Sequence, residues 1–357
     1  MNYRFLLPGM AVIMIFSFPG NSLAQQKKPL PDEMNQAIVQ QEYKNMHSIL
    51  VSRNGTIEYE QYFNGYHADS LHDSRSSFKS VASLLVGIAV DKGFIRDIDT
   101  PVYTFFPEDT AFSSDPRKRK ITIRHLLEMR AGFDCDEWTD RGRDCESMMD
   151  KTADWVQYAL EKLPMKDDPG KIWAYTSCDP MILSGVLKKA SGMSVMDFAA
   201  KYLFAPLNIT RYRWTLDPAG NAMTGGSFYL LPGDMLKIGQ LVLNNGMWKG
   251  KRIVSEQWLK LSTTATIPIP GSSFMAVSRS AVGIPQPTTY GFYWYNELVK
   301  TKDFRYKTIF ASGNGGQYII ILKELDLVVV FTQGNYGNRM AKQAFDMLVK
   351  YILPAYR

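Results

Sequence analysis

Thiol and metal chemistry have little to draw on in this chain. Its 357 residues include three cysteines, Cys135, Cys145 and Cys178, and four histidines, His47, His67, His72 and His125. No Cys-x-x-Cys pair and no Cys/His spacing of the zinc type occurs, so neither a metal nor any other cofactor is expected. The Gly-x-Ser-x-Gly elbow used by many Ser-His-Asp hydrolases is missing as well. His125 falls inside an apolar helical pattern and the other three histidines in loops or at a strand start, so no histidine is placed as the base of a triad. There is no repeat, no low-complexity tract and no phosphate-binding loop pattern. One-sided charge is lacking too: 41 Lys and Arg against 35 Asp and Glu give a net +6 with both signs interspersed. The densest basic run, Arg117-Lys118-Arg119-Lys120, reads as a solvated loop, and no nucleic-acid partner is expected.

Long apolar runs are almost absent. The main one extends from Phe5 to about Pro19, follows the single charge Arg4 and precedes Ser22-Leu23-Ala24. It is broken by Pro8-Gly9 and is shorter than the roughly 20 residues a bilayer span needs. Residues 1–24 therefore read as a secretory signal peptide, with an uncleaved anchor as the alternative. The expected mature chain, residues 25–357, has a net charge of +5 and no further membrane-spanning segment, and is exported, periplasmic or secreted. In such an oxidising compartment Cys135 and Cys145 can pair and leave Cys178 free; the spacing leaves that pairing open.

What is present is the composition of a globular protein: 45% hydrophobic, 13% aromatic and 21% charged. Ser48 to Tyr62 reads as a β-hairpin around Asn54-Gly55. Two more strands, Tyr318–Leu322 and Leu327–Thr332, flank the polar connection 323–326, and Ala341, Ala344, Phe345, Leu348 and Ile352 follow helical spacing. The middle of the chain is mostly helical. Thr122 caps a helix through Leu126, Leu127 and Met129 that stops near Gly132, and Ile182 to Ala190 forms another ended by Gly192. Ser194 to Asp197 forms a capping box, and Met235 to Val242 is closed by Asn244-Asn245-Gly246. The expected fold is α/β: one antiparallel sheet assembled from both chain ends and flanked by helices, with an inserted mostly helical domain. The α/β part covers about 45–100 and 270–357, and the helical part about 101–269.

The candidate chemistry starts at Ser76-Ser77-Phe78-Lys79. Val81, Leu84, Leu85, Ile88 and Ala89 share one face of a helix that stops at Gly93, which puts Ser76 at the first turn. Unpaired N–H groups and the positive helix end there favour developing negative charge. Lys79 lies one turn on, on the same side, and desolvation lowers a lysine toward the range of a base. Alone, Ser-x-x-Lys is a common pattern, whose plain reading is a capping serine with a surface lysine. Tyr175 follows the turn Asp168-Pro169-Gly170 and precedes the Ile182 helix, so its phenol can share a proton with Ser76 and Lys79 or simply pack. Ser312-Gly313-Asn314-Gly315-Gly316-Gln317 opens a late strand, where glycines admit a substrate close to backbone N–H groups.

Taken in order with their surroundings, these segments resemble the class C β-lactamase-like family, which includes penicillin-binding proteins, esterases and aminohexanoate-oligomer hydrolases. The resemblance covers about Ser48 to Phe345. It is carried by Ser76-Ser77-Phe78-Lys79-Ser80 with Leu85–Ala89, by Ile121–Met129, by Tyr175-Thr176-Ser177, by Leu241–Trp248, and by Gly313–Gln317 followed by Glu324–Val330. The last block is most similar to the aminohexanoate-oligomer hydrolase and esterase branch. The resemblance implies a β-lactamase/transpeptidase-like fold in which Ser76 is the acylated nucleophile and Lys79 and Tyr175 are the proton-transfer pair. The backbone N–H groups of Ser76 and about Gln317 would form the oxyanion hole, and Ser177, Asn314, Gly315, Gly316 and Gln317 would line the substrate site. Two positions depart from the family pattern: Tyr-x-Asn is Tyr175-x-Ser177, and the Lys or His before the glycine of the late motif is Asn314. Losing that cation removes a partner for a substrate carboxylate, so an ester, amide or peptide-like substrate is expected before a β-lactam. The alternative is a penicillin-binding-like protein that has lost its chemistry and binds cell-wall peptides or a partner. Oligomeric state is not readable from the chain.

Overall fold

In the hairpin, Asn54 and Gly55 both take left-handed backbone conformations, φ +51° and +74°, the pairing that suits the twist of two tightly joined strands. The computed structural model describes residues 32–139, 141–269, 271, 273–275 and 288–356, so the candidate signal peptide lies outside the described residues. The hairpin strands are β1 (Met46–Arg53) and β2 (Thr56–Tyr62). Six more strands follow late in the chain: β3 (Ile267–Pro268), β4 (Thr289–Tyr290), β5 (Tyr295–Lys300), β6 (Arg305–Gly313), β7 (Gln317–Leu322) and β8 (Leu327–Gln333). They form one sheet in the order β2-β1-β8-β7-β6-β5-β4-β3 with antiparallel pairing throughout. The two chain ends meet where β1 pairs with β8, from Arg53 opposite Leu327 to Met46 opposite Gln333.

The runs Gln317–Leu322 and Leu327–Gln333 are buried on both faces, as expected of apolar strands covered by helices on each side. One cover is the helix Pro232–Leu243, which crosses β8 and β7; Ser52 on β1 donates to Gln240 on this helix at 3.3 Å. On the other face Phe345 packs on Phe310 and Tyr318, with ring centroids 5.1 and 5.0 Å apart. Phe345 belongs to the C-terminal helical stretch, which starts as an α-helix at Gln343–Met347, widens into a π-type turn at Leu348–Ile352 and resumes at Leu353–Tyr356.

Five helices matter for the site and its supports: α1 (Phe78–Asp91), α2 (Ile123–Leu127), α3 (Cys145–Met149), α4 (Cys178–Ser191) and α5 (Pro232–Leu243). α1 is buried over most of its length, because its surroundings are helix and sheet on all sides. α4 ends at Gly192 in a left-handed conformation, as its sequence suggests. Ser194 accepts from the Asp197 N–H at 3.0 Å in the capping arrangement expected of it. α2 differs from expectation. Thr122 and His125 do form a reciprocal cap, but the helix ends at Leu127 and not near Gly132. Met129 takes φ +56° and the Arg130 N–H closes back on the His125 carbonyl at 2.8 Å, a helix stop made without glycine.

Cys135 and Cys145 are joined by a disulfide, and Cys178 is a buried free thiol. The bridge closes the loop that leads into α3 and removes about 3 kcal/mol of unfolded-state chain entropy. Among the described residues no helix is long and apolar enough to cross a membrane, and no group of three or more His, Cys, Asp or Glu is placed to hold a metal ion.

Candidate active site

The chain enters the site from the short strand His72–Asp73 and turns sharply before α1. Asp73 Oδ1 accepts from the Arg75 N–H at 2.9 Å, and Arg75 sits at φ +48°. The next turn, Arg75–Ser77, is a 3₁₀ turn continuous with α1, anchored where Ser77 Oγ donates to the Ser74 carbonyl at 2.7 Å. Ser76 is half-buried at this turn. Backbone crowds it closely: a Cβ on Gly313 would lie 2.4 Å from the Ser74 carbonyl oxygen, and one on Gly226 would lie 3.3 Å from the Ser76 nitrogen. Only residues without side chains allow strand and loop to approach the Ser76 turn this closely.

Lys79, one turn along α1, is 2% exposed and its ammonium has three oxygen acceptors. Nζ donates to Ser76 Oγ at 3.1 Å, to Ser177 Oγ at 3.0 Å and to the Gly225 carbonyl. Three donors are thus matched by three acceptors, which fixes the direction of each N–H. The amine also lies 4.8 Å from the Tyr175 ring centroid. The Tyr175 hydroxyl is hydrogen-bonded to Ser76 and to the Tyr295 hydroxyl on β5. The structure therefore brings Ser76, Lys79, Tyr175 and Ser177 into one hydrogen-bonded cluster.

Three further groups join this cluster without any signal in the sequence analysis. Glu146, the second residue of α3, accepts from Ser177 Oγ at 2.6 Å. Glu137, in the disulfide loop, accepts the Ser177 N–H at 2.8 and 3.0 Å and the Thr176 hydroxyl at 2.7 Å. Tyr295 completes the set. The two glutamates flank Cys135 and Cys145 in sequence, and the paired cysteines are the one local feature that marks their region as fixed in space.

The glycine-rich segment is arranged differently. Gly313, the last residue of β6, packs on the Ser74–Ser77 turn. Asn314 is exposed, and its Oδ1 accepts from the Gly337 N–H at 2.8 Å. Gly315 lies against the Tyr336 ring and Gly316 against Gln333. Gln317 is fully buried on β7, with Nε2 donating to the Gln333 carbonyl at 2.5 Å. The side chains of Asn314 and Gln317 are thus engaged with the 333–337 segment, while Gly313 packs directly on the Ser76 turn.

Burial dominates the electrostatics. It pushes Lys79 below the ordinary lysine range, against the opposing pull of Glu146 and Glu137, and it pushes the Tyr175 phenol well up. Burial, then the neighbouring charge of Glu146, raises Glu137 to about 7. Beside this polar cluster stands an aromatic wall. Trp138, 37% exposed, packs on Trp173, Tyr175 and Phe274 with centroids 5.7, 5.7 and 6.2 Å away. A half-buried serine, a buried amine directed at its oxygen and a phenol hydrogen-bonded to the same residue make an arrangement suited to nucleophilic attack with proton shuttling.

Several known proteins are similar to this chain. A 6-aminohexanoate-dimer hydrolase from Paenarthrobacter ureafaciens is 24% identical over 224 residues, covering 60% of this chain. The match spans 56% of that relative's length. Among solved structures, simvastatin synthase from Aspergillus terreus superposes with a TM-score of 0.72 at 15% identity, over 92% of this chain and 99% of that one. A family VIII carboxylesterase superposes with a TM-score of 0.66 at 16% identity, over 91% and 95%. These two likenesses establish the shared fold, a β-lactamase and penicillin-binding-protein type of architecture. Residues 37–349 match the family described as Beta-lactamase, and the chain belongs to that family.

Proposed function

We propose that this protein is an exported serine hydrolase that passes through an acyl-serine intermediate on Ser76 and acts on an ester, amide or peptide-like substrate. The observation that carries the reading is the Lys79 ammonium, buried and directed at Ser76 Oγ at 3.1 Å, with the Tyr175 hydroxyl on the same oxygen. Loss of the proton that faces Ser76 leaves Lys79 with a lone pair on that side, while its other two N–H groups still hold Ser177 and Gly225. The free amine then takes the Ser76 proton as Oγ bonds to the acyl carbon. Tyr175 delivers a proton to the departing alcohol or amine as its bond to the acyl carbon breaks. In the second half, water attacks the acyl carbon, its proton passes to the same pair, and Ser76 is regenerated. Gly313 and the Ser76 turn provide the close backbone approach that an oxyanion site needs.

The substrate class follows from what flanks Ser76. Trp138 and Trp173 beside Tyr175 favour an apolar acyl or leaving group. At the third motif Asn314 is neutral, and the neighbouring cation Arg75 is paired with Asp73 at 2.9 Å and stacked over Tyr336. A substrate carboxylate therefore lacks the dedicated charge that β-lactam recognition relies on. The printed name of one relative, 6-aminohexanoate-dimer hydrolase, supports hydrolysis of a substrate outside the β-lactam class. The Cys135–Cys145 disulfide supports an oxidising compartment and hence export.

The test is a panel of four substrates: a short-chain nitrophenyl ester, a linear amide, a D-amino-acid dipeptide and a cephalosporin. Turnover of the ester or amide should exceed that of the cephalosporin by about 100-fold or more in kcat/KM, the loss expected when a charged partner is missing. Preferential cephalosporin hydrolysis would reverse the substrate assignment.

A further inference from the structure

Ser177 stands where the family pattern has asparagine, and its hydroxyl takes part in two hydrogen bonds of opposite sense. It heads α4 without capping that helix; its proton goes to Glu146 Oε2 at 2.6 Å, leaving its oxygen as a pure acceptor for Lys79 Nζ at 3.0 Å. Lys79, Ser177 and Glu146 thus form a directed line from a buried amine to a carboxylate. Glu146 in turn is held from both ends of one closed loop. It follows Cys145 directly, its N–H donates to Glu137 Oε1 at 3.2 Å, and Glu137 clamps the Ser177 N–H and the Thr176 hydroxyl. The Glu137 N–H donates to the Tyr175 carbonyl at 2.7 Å. The disulfide joins the two arms of this clamp.

We propose that Glu146 is a positioning residue for Lys79, acting through the Ser177 hydroxyl and serving as the fixed countercharge of the ammonium formed when Ser76 is deprotonated. This rests on the acyl-serine reading above. The proton moves from Ser76 Oγ to Lys79 Nζ as the Oγ–acyl bond forms; Glu146 gains no proton and the relay keeps its hydrogen bonds throughout. The groups facing Lys79 are Glu146 from α3, Glu137 from the disulfide loop, Cys178 and Asp179 from the start of α4, and Tyr175. Glu146 is the strongest of the charges acting on the amine. Asp179 is fully buried with both carboxyl oxygens lacking a hydrogen-bond partner among the described residues, and burial pushes it far above the carboxylate range. Glu137 is itself raised to about 7. Around Glu146 stand Asp150 and Asp73 as further carboxylates.

The experiment measures the rate of covalent labelling of Ser76 by a fluorophosphonate against pH, for the wild type, Glu146→Gln and Glu146→Asp, normalised to the fraction of chains that label. Removing an opposite charge makes Lys79 less basic, so its free amine persists to lower pH. The acidic limb of Glu146→Gln should move down by about 1 pH unit, with a slower plateau, and Glu146→Asp should bring it back toward wild type. Ser177→Ala, which cuts the line at its middle, should move the limb in the same direction, and it carries the test if the glutamine variant does not fold. An unmoved limb in variants that still label overturns the role of Glu146 and leaves the acyl-serine reading standing. A wild type that never labels at Ser76 overturns both.

Discussion

Ser76→Ala is expected to lose on the order of 10⁶-fold in kcat on the best ester or amide substrate, the scale seen when the nucleophile of a serine hydrolase is deleted. The loss should be this large because, among the described residues, Lys79 and Tyr175 have no other hydroxyl placed for attack. Ser177 Oγ also touches Lys79, but its proton is committed to Glu146. Stability should hardly change. Ser76 is half-buried, the turn that presents it is fixed by Ser77 and Asp73, and removing one partly exposed hydroxyl typically alters folding by less than about 0.5 kcal/mol. Thermal unfolding beside steady-state kinetics separates the two effects. A variant with ordinary turnover and a normal melt would place the chemistry elsewhere.

Tyr175→Phe should lower kcat by about 10² to 10⁴-fold, the usual contribution of one positioned acid or base. The ring stays, so its packing against Trp138 and Trp173 and its contact with the Lys79 amine are kept. What disappears is the phenol oxygen between Ser76 and Tyr295. The Tyr295 hydroxyl, buried on β5, then loses this hydrogen-bond partner, at a cost of about 1–3 kcal/mol in stability. A fall in kcat with little change in KM would mark a group that acts in the transition state. Near-normal kcat would reduce Tyr175 to a packing residue, and Lys79 would then have to carry both proton transfers.

Much of this site is legible in the sequence because it is written in local patterns. Ser76 and Lys79 are one helical turn apart, and the apolar spacing from Val81 to Ala89 already makes that turn a helix. The Asn54-Gly55 turn and the apolar runs 318–322 and 327–332 announced strands whose placement at opposite chain ends implied a shared sheet, and β1 does pair with β8. The supports of the site were invisible for the opposite reason. Glu137 and Glu146 lie in a polar stretch of ordinary appearance, 31 to 40 residues from the partners they bind, and only folding brings them there. Tyr295 and Gly225 act on the cluster across 120 and 146 residues. The glycine run shows a different limit. Its composition announced a close approach of backbone to the site, but not that Gly313 makes it while Asn314 and Gln317 are tied to the 333–337 segment. Composition tells that an approach is possible; register decides which residue makes it.

The disulfide shows how one open question, once answered, organises several others. With Cys135 and Cys145 joined, the loop becomes a clamp that sets Ser177 from two sides and presents Trp138 to Tyr175. The departure of this chain from the family's Tyr-x-Asn pattern is then matched by a local device: a serine at that position needs a strong acceptor to orient its hydroxyl, and Glu146 is that acceptor.

Whether Ser76 is an acylated nucleophile is tested most directly by intact-mass spectrometry after exposure to a fluorophosphonate. A single adduct per chain should map to Ser76, form faster as pH rises through the acidic limb, and be absent from Ser76→Ala. A folded wild-type protein that remains unmodified, or one whose adduct persists in Ser76→Ala, would contradict that role.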